Sequence, residues 1–288
     1  MIKRATIGEK IFDSAIYFVL AVLFVVYFVP LIYVVISSVT PYSEVARSGG
    51  LVIIPKEITL SAYSQIFKQG LIPRALGVTV FVTVVGTSLS MALSVLLAYP
   101  LSKQTLPGRK FILQALVFTM YFSGGLIPTY LIVRQMGMLN TVWAMIIPSV
   151  VSTYNVMLIR NYFQNIPAEL FEAATIDGCG PTRSLLSIAL PLSPPVLMTI
   201  MLFYMVSFWN TFYAAIYYIN DPNLRPLQVI LRDILNSVVG NMENVDVNIP
   251  SMTIQMASIV VTSVPIILVY PFIQKHFTKG IMMGAVKG

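Results

Sequence analysis

Six long gaps between charged residues constrain this chain more than any other feature. Ser14 to Ser43, Ala75 to Ser102, Phe111 to Val133, Gln135 to Ile159, Ser184 to Asn220 and Val247 to Gln274 contain no Asp, Glu, Lys or Arg, and every other charge-free stretch is ten residues or shorter. A helix rises about 1.5 Å per residue, so each gap has room for the roughly 20 apolar residues that cross a hydrocarbon core of about 30 Å. The pattern predicts an all-α membrane protein with six transmembrane helices, at approximately 14–37, 75–101, 111–133, 139–159, 189–216 and 253–274. Pro30, Gly86, Pro128, Pro148, Pro194 and Pro265 fall inside the gaps. Membrane helices tolerate such residues because neighbouring helices satisfy the backbone groups they free. A soluble helical bundle is excluded by the shortage of polar surface, since 57% of residues are hydrophobic and 10% charged, against about 25% charged in a soluble domain.

Lys3, Arg4 and Lys10 precede the first gap as they would in a signal peptide. The apolar run that follows is longer than the roughly 7–15 residues of a signal h-region and has no small-residue cleavage site after it, so it reads as a retained span. Basic residues set the orientation. With the N-terminus inside, Lys3, Arg4, Lys10, Lys103, Arg109, Lys110, Arg160, Arg183, Lys275, Lys279 and Lys287 are cytoplasmic, eleven of the 18 basic residues. The expected organisation is a cytoplasmic N-terminus at 1–13, a six-helix domain over 14–274, a cytoplasmic loop at 161–190, an extracytoplasmic loop at 217–252 and a cytoplasmic tail at 275–288. Within the outer loop, Leu227, Ile230, Leu231, Ile234, Leu235 and Val238 recur at helical spacing and predict an amphipathic helix. The net charge of +7 fits basic residues beside anionic lipid and calls for no nucleic-acid partner.

Several chemistries are excluded. One cysteine, Cys179, and one histidine, His276, offer neither an internal disulfide nor a metal site. No zinc-protease signature, serine elbow or phosphate-binding loop occurs, so the sequence shows no catalytic residues, no metal ligands, no cofactor site and no means of hydrolysing ATP. An ion-coupled secondary transporter or channel is the alternative reading. Such a protein places ionisable groups inside its spans, and the six gaps hold none.

The segment Glu172-Ala173-Ala174-Thr175-Ile176-Asp177-Gly178-Cys179-Gly180-Pro181-Thr182-Arg183 interrupts the apolar pattern. Pro167 suits the first turn of a short helix, Glu169 and Glu172 lie near its positive end, and Gly178 closes it in the left-handed conformation. Pro181 then restarts the chain toward Leu190-Pro191, which predicts an elbow of two short helices at roughly a right angle. Two uses remain open on these residues alone: an elbow resting on the inner leaflet, or a handle whose slim alanine pair enters a partner's groove.

The spacing of Glu172-Ala173-Ala174, Gly178 and Ile188-x-Leu190-Pro191 resembles the EAA loop of permease subunits of bacterial ATP-binding-cassette importers. Pro167 to Gly178, the Trp209-Asn210 pair and the ending Lys279 to Gly288 are similar to the carbohydrate branch of maltose type, in particular its smaller six-span permease. Phe122 to Tyr130 is similar to importers of oligosaccharides or polysaccharide fragments, including uronate-containing ones. The resemblance implies a type I importer permease fold with a cytoplasmic coupling helix in the bacterial inner membrane, both termini cytoplasmic. It also implies a second homologous permease, two ATP-binding subunits that hold ATP and Mg, and an extracytoplasmic solute-binding protein. Mapped onto this sequence, Glu172, Ala173, Ala174, Asp177 and Gly178, followed by Leu190 and Pro191, are the expected coupling residues. Cys179 and Gly180 depart from the usual pattern, where bulkier or polar residues stand.

A sugar path needs aromatic faces and hydrogen-bonding groups. Tyr121, Ser123, Tyr154, Asn155, Trp209, Asn210 and Tyr213 supply them within the gaps, with interhelical packing as the competing use of each. The first expectation is direct: this subunit purified by itself hydrolyses no ATP in a phosphate-release assay. Turnover above the blank after rigorous purification would refute it.

Overall fold

The computed structural model of the chain describes residues 7–68, 70–236 and 252–285, and its regular elements there are helices. Val238, the segment 237–251 of the expected outer loop, Lys3 and Arg4, and the last residues 286–288 lie outside the described residues. The chain forms two compact units, one of residues 1–70 with 231–264 and the other of 71–230 with 265–288.

The first unit holds α1 (Ile7–Val39), α2 (Tyr42–Arg47) and α3 (Ser61–Lys68), with parts of α13 (Leu227–Asn236) and α14 (Met252–Ala285). Large apolar side chains of α1 from Phe12 to Val35 are exposed, and the helix is anchored at its C-terminal end. There the Ser38 and Tyr63 hydroxyls meet at 2.7 Å, Thr59 N–H donates to the Val39 carbonyl at 2.7 Å, and the Thr253 hydroxyl donates to the Thr40 carbonyl at 3.3 Å.

In the second unit α4 (Leu71–Ser102) is the axis against which α8 (Thr153–Gln164) and α11 (Pro194–Trp209) pack. Its buried residues include a run of small and hydroxylated ones, Thr79, Thr83, Gly86, Thr87, Ser90 and Ser94. Small residues let helices approach where apolar attraction between them is weak, as it is in lipid. Val82, Leu101, Met145, Val156, Ile159, Ile200 and Phe208 fill the core beside that face.

Hydrogen bonds define the two ends of this unit. At the start of α4, Arg74 bonds Asn223, the Thr79 hydroxyl accepts the Leu227 N–H at 2.8 Å, and Asn140 Oδ1 accepts the N–H groups of Asn220 and Asp221 at 3.1 and 2.8 Å. At its finish, Arg109 Nε and Arg160 Nε both donate to the Leu101 carbonyl, at 2.9 and 3.3 Å, and Gln164 Nε2 donates to the Ser102 carbonyl at 3.3 Å. These donors satisfy carbonyls that a helix C-terminus leaves open, and the charge of the two arginines suits its negative end. The chain therefore runs between the ends four times: α4, then α5 (Arg109–Tyr121) with α6 (Leu126–Gln135), then α7 (Trp143–Ile146) with α8, then α11 with α12 (Tyr213–Tyr218).

The last three passes differ from the straight spans expected over 111–133, 139–159 and 189–216. α5 and α6 meet at 115°, because Gly124-Gly125 interrupts the helix and Gly125 takes φ 82°. Pro148 converts the end of α7 to a tight turn, and the helix resumes after Ser152. α11 stops at Trp209, and α12 begins only at Tyr213. By length and composition Phe12–Val39 and α4 are each long enough and apolar enough to cross a membrane, and up to four spans result if α5 with α6, and Pro181–Ala189 with α11, each count as one bent span. By that measure of length and composition the described helices supply up to four of the six expected spans.

Close approach at Gly86 is a testable constraint: a Cβ there would lie 2.9 Å from three Phe208 ring atoms. Gly86→Val should cost about 1–3 kcal/mol through overpacking, read as a lower unfolding midpoint in detergent. Gly86→Val with Phe208→Ala should recover part of it.

Candidate functional site

The predicted polar interruption folds as an elbow at the same end of the second unit as the C-terminus of α4. α9 (Ala168–Ile176) starts one residue after Pro167, its N-cap. Gly178 at φ 78° closes it, with Cys179 N–H donating to the Ala174 carbonyl at 2.8 Å and Gly178 N–H to the Thr175 carbonyl at 3.0 Å. This paired closure satisfies two end carbonyls and requires a left-handed residue, which glycine supplies without Cβ strain. Gly180 and Pro181 then start α10 (Pro181–Ser184).

From Leu185 the turn widens, and Leu190 N–H reaches the Leu185 carbonyl five residues back at 2.9 Å. Pro191 and Pro194 lack the N–H groups that would continue the helix. The segment Pro181–Ala189 consequently meets α11 at 93°. A right-angled corner thus stands at the entry to α11, one element after the pair of short helices. Leu190 is half-buried and Pro191 exposed at that corner.

Sides of α9 differ in what they touch. Ala174 is buried, and Phe171 packs inward against Tyr99, ring centroids 6.4 Å apart, while Tyr99 also meets Phe163 edge-on at 5.9 Å. Glu169, Glu172, Ala173, Asp177 and Gly178 face outward, together with Ile176, which is 87% exposed. An isoleucine so exposed between carboxylates is an unpartnered apolar contact, and the sequence reading did not single it out.

Inward of the elbow lies a hollow of about 550 Å³ lined by Lys103, Thr105, Phe171, Thr175, Cys179 and Ser184, among others. Lys103 Nζ sits 3.2 Å from the Phe171 ring centroid and 5.1 Å from that of Tyr99. Burial pushes the Lys103 ammonium below its ordinary pKa, as expected for a charge that has lost water. No local pattern near Lys103 announces this, since Phe171 is 68 positions further along the chain.

Each expected sugar-path residue stands beside a helix break. Tyr121 and Ser123 flank the start of the Gly124-Gly125 break, where Ser123 Oγ accepts the Gly125 N–H at 3.2 Å. Tyr154 and Asn155 occupy the first turn of α8; Tyr154 is exposed and Asn155 buried. Trp209, Asn210 and Tyr213 bracket the break after α11. Tyr121 and Tyr213 are open, at 80% and 68% exposure. Asn210 donates to the Val206 carbonyl at 2.8 Å.

Trp209 is different: it is buried in a cleft of about 360 Å³ with Thr83, Thr87 and Met205 among its lining residues. Its indole N–H has no partner among the described residues. Packing therefore explains Trp209 at least as well as exposure to a path.

Two breaks are adjacent, because the Thr119 and Thr153 hydroxyls meet at 3.2 Å. Tyr204 supports one of them: its hydroxyl accepts the Ser152 N–H at 3.0 Å and pairs with the Ser94 hydroxyl at 2.7 Å. Sequence reading missed Tyr204 because its partners are 52 and 110 positions away.

Comparison with known proteins adds independent findings. The family model described as "Binding-protein-dependent transport system inner membrane component" matches residues 87–283. The chain is 45% identical over 285 residues to the polygalacturonan/rhamnogalacturonan transport system permease protein YtcP of Bacillus subtilis (strain 168), covering 97% of this chain and 99% of that one. It is 43% identical over 263 residues to protein LplC of the same organism, covering 90% and 89%. Among solved structures it resembles a chain of a bacterial ABC transporter involved in the import of the acidic polysaccharide alginate. That match has a TM-score of 0.86 and 31% identity, and covers 95% of this chain and 99% of the other.

The elbow's closure yields its own expectation. Gly178→Ala should cost about 1–2 kcal/mol, the penalty for a side chain in left-handed backbone, and should speed limited proteolysis between α9 and α10. Unchanged cleavage would show that Gly178 does not lock the turn.

Proposed function

The chain belongs to the family of binding-protein-dependent transport system inner membrane components, and from that premise we propose how it works: the elbow is a handle through which ATP-binding partners rock the membrane helices. The chain is a transport subunit of a carbohydrate ABC transporter, not an enzyme. In the proposed assembly it spans the bacterial cytoplasmic membrane six times with both termini inside. It pairs with a second homologous permease and two ATP-binding subunits that hold ATP and Mg, and it receives its cargo from an extracytoplasmic solute-binding protein.

One observation supports the handle above the rest. The outward side of α9 offers Glu172, Ala173 and Ile176, on a helix closed at Gly178 and followed, after the short turn at Cys179-Gly180, by the helical segment Pro181–Ala189 that meets α11 at 93°. A helix so fixed passes a displacement onward instead of absorbing it in a loose loop, the kind of element that domain motions use. The groove that receives it contributes a basic residue for Glu172 and an apolar patch for Ile176. Leu190 and Pro191 form the corner that converts the movement.

The proposed cargo is an oligosaccharide or polysaccharide fragment bearing uronate groups. Support comes from the polygalacturonan/rhamnogalacturonan permease and the alginate importer among the similar proteins. Its path runs past the helix breaks. Non-helical backbone at membrane depth is tolerated only where it is buried in protein or lines a water-filled cavity, and the breaks carry Tyr121, Ser123, Tyr154, Asn155, Asn210 and Tyr213, with Trp209 packed behind.

The test is uptake in proteoliposomes assembled with purified partners, using oligogalacturonides as cargo and a neutral oligosaccharide of equal length as comparison. Glu172→Lys and Gly178→Asp should leave the chain inserted and lower uptake per ATP hydrolysed at least about tenfold, the effect of losing roughly 1.4 kcal/mol of coupling. Wild-type coupling in both variants refutes the handle, and preference for the neutral sugar refutes the uronate cargo.

A further inference from the structure

We propose that the hollow between the Lys103–Pro107 turn and the elbow binds the phosphate-bearing headgroup of an acidic phospholipid, with Lys103 as its counter-charge. The inference rests on the cytoplasmic placement of the elbow proposed above.

Position comes first. Lys103 follows the last residue of α4, a 32-residue helix long and apolar enough to cross a membrane, so its ammonium stands at the level where headgroups begin. The hollow of about 550 Å³ falls within the roughly 300–1,000 Å³ of small-molecule sites. Chemistry comes next. Tyr99, Thr105 and Ser184 share its wall with Lys103, and Leu106 and Pro107 supply an apolar side, but no carboxylate residue lines it. The elbow's own acids, Glu169, Glu172 and Asp177, are on the exposed side.

Charge bookkeeping points the same way. Arg109 and Arg160 already serve the Leu101 carbonyl at the end of α4. That leaves Lys103 over the Phe171 and Tyr99 rings, with its charged form disfavoured by burial. An aromatic face offsets only part of the hydration an ammonium loses, and an anion in the hollow supplies the remainder. Basic pockets between helices on the cytoplasmic side are where acidic headgroups bind. Occupancy would join the Lys103–Pro107 turn to the elbow, so the handle's stiffness would depend on the lipid around it.

Cys179 reports on the site, since it is the single cysteine of the chain and is among the residues that line the hollow. The experiment measures the rate of N-ethylmaleimide addition to Cys179, read from the mass of this chain, in the purified transporter complex in nanodiscs. Discs of phosphatidylcholine alone are compared with discs containing phosphatidylglycerol. The acidic lipid should slow labelling about fivefold in the wild type, leave Lys103→Gln unaffected and slow Lys103→Arg as in the wild type. Lys103→Gln feels the same surface potential, so it separates a site from a general field.

Equal rates in the two lipids, or lipid dependence retained by Lys103→Gln, overturn the proposal. Inorganic phosphate added to phosphatidylcholine discs should give no protection; full protection there would assign the hollow to a soluble anion and refute a lipid. Protection that requires only the ATP-binding subunits, whatever the lipid, would assign it to a protein side chain and refute the lipid equally. Labelling does not depend on transport, so failure of the importer reading and failure of this one are distinguishable.

Discussion

In hydrocarbon there is no water to take up an unpaired amide or carbonyl, and each one left bare costs several kcal/mol. That constraint bears on the breaks within the membrane helices, and the same accounting of backbone groups holds for buried helix ends outside the hydrocarbon. The finish of α4 is held by Arg109, Arg160 and Gln164, which donate to its last carbonyls. The break before α8 is held by Tyr204, which accepts the Ser152 N–H. The elbow is held by the Ala174 and Thr175 carbonyls bonded back from Cys179 and Gly178.

These fastenings also arrange function. Because Arg109, Arg160 and Gln164 gather at one end of α4, the elbow, the Lys103–Pro107 turn and the end of α8 form one local structure. Phe171 and Tyr99 connect its layers through ring contact. The opposite end is tied by Arg74, Asn140, Asn223 and Thr79. Between them lie three broken passes whose exposed tyrosines and amides stand beside the breaks, so the backbone irregularities and the polar side chains belong to one design.

Much of this was legible in the sequence. The charge-free gaps located the apolar segments, and Gly178 and Pro181 located the closure and restart of the elbow, because glycine and proline act on their own backbone. The Trp209-Asn210 pair was legible as a position but not as a role: Trp209 is buried and lines one cleft with Thr83 and Thr87 of α4, while Asn210 turns back to the Val206 carbonyl. The 115° bend at Gly124-Gly125 was not read from the sequence, which placed one span over 111–133, because two glycines permit a bend without requiring it or fixing its angle.

The amino-acid sequence by itself determined that the chain is helical, apolar enough for a membrane and interrupted by one capped polar elbow. Those properties follow from hydrophobicity and from backbone limits that each residue carries wherever it is placed. Tertiary structure alone decided that Tyr204 mends a break 52 residues away, that Lys103 rests on Phe171, that Ile176 is left bare and that the chain turns 93° on entering α11. Contacts between distant segments depend on how helices pack against α4, and no local pattern encodes which partner a side chain meets once they have packed.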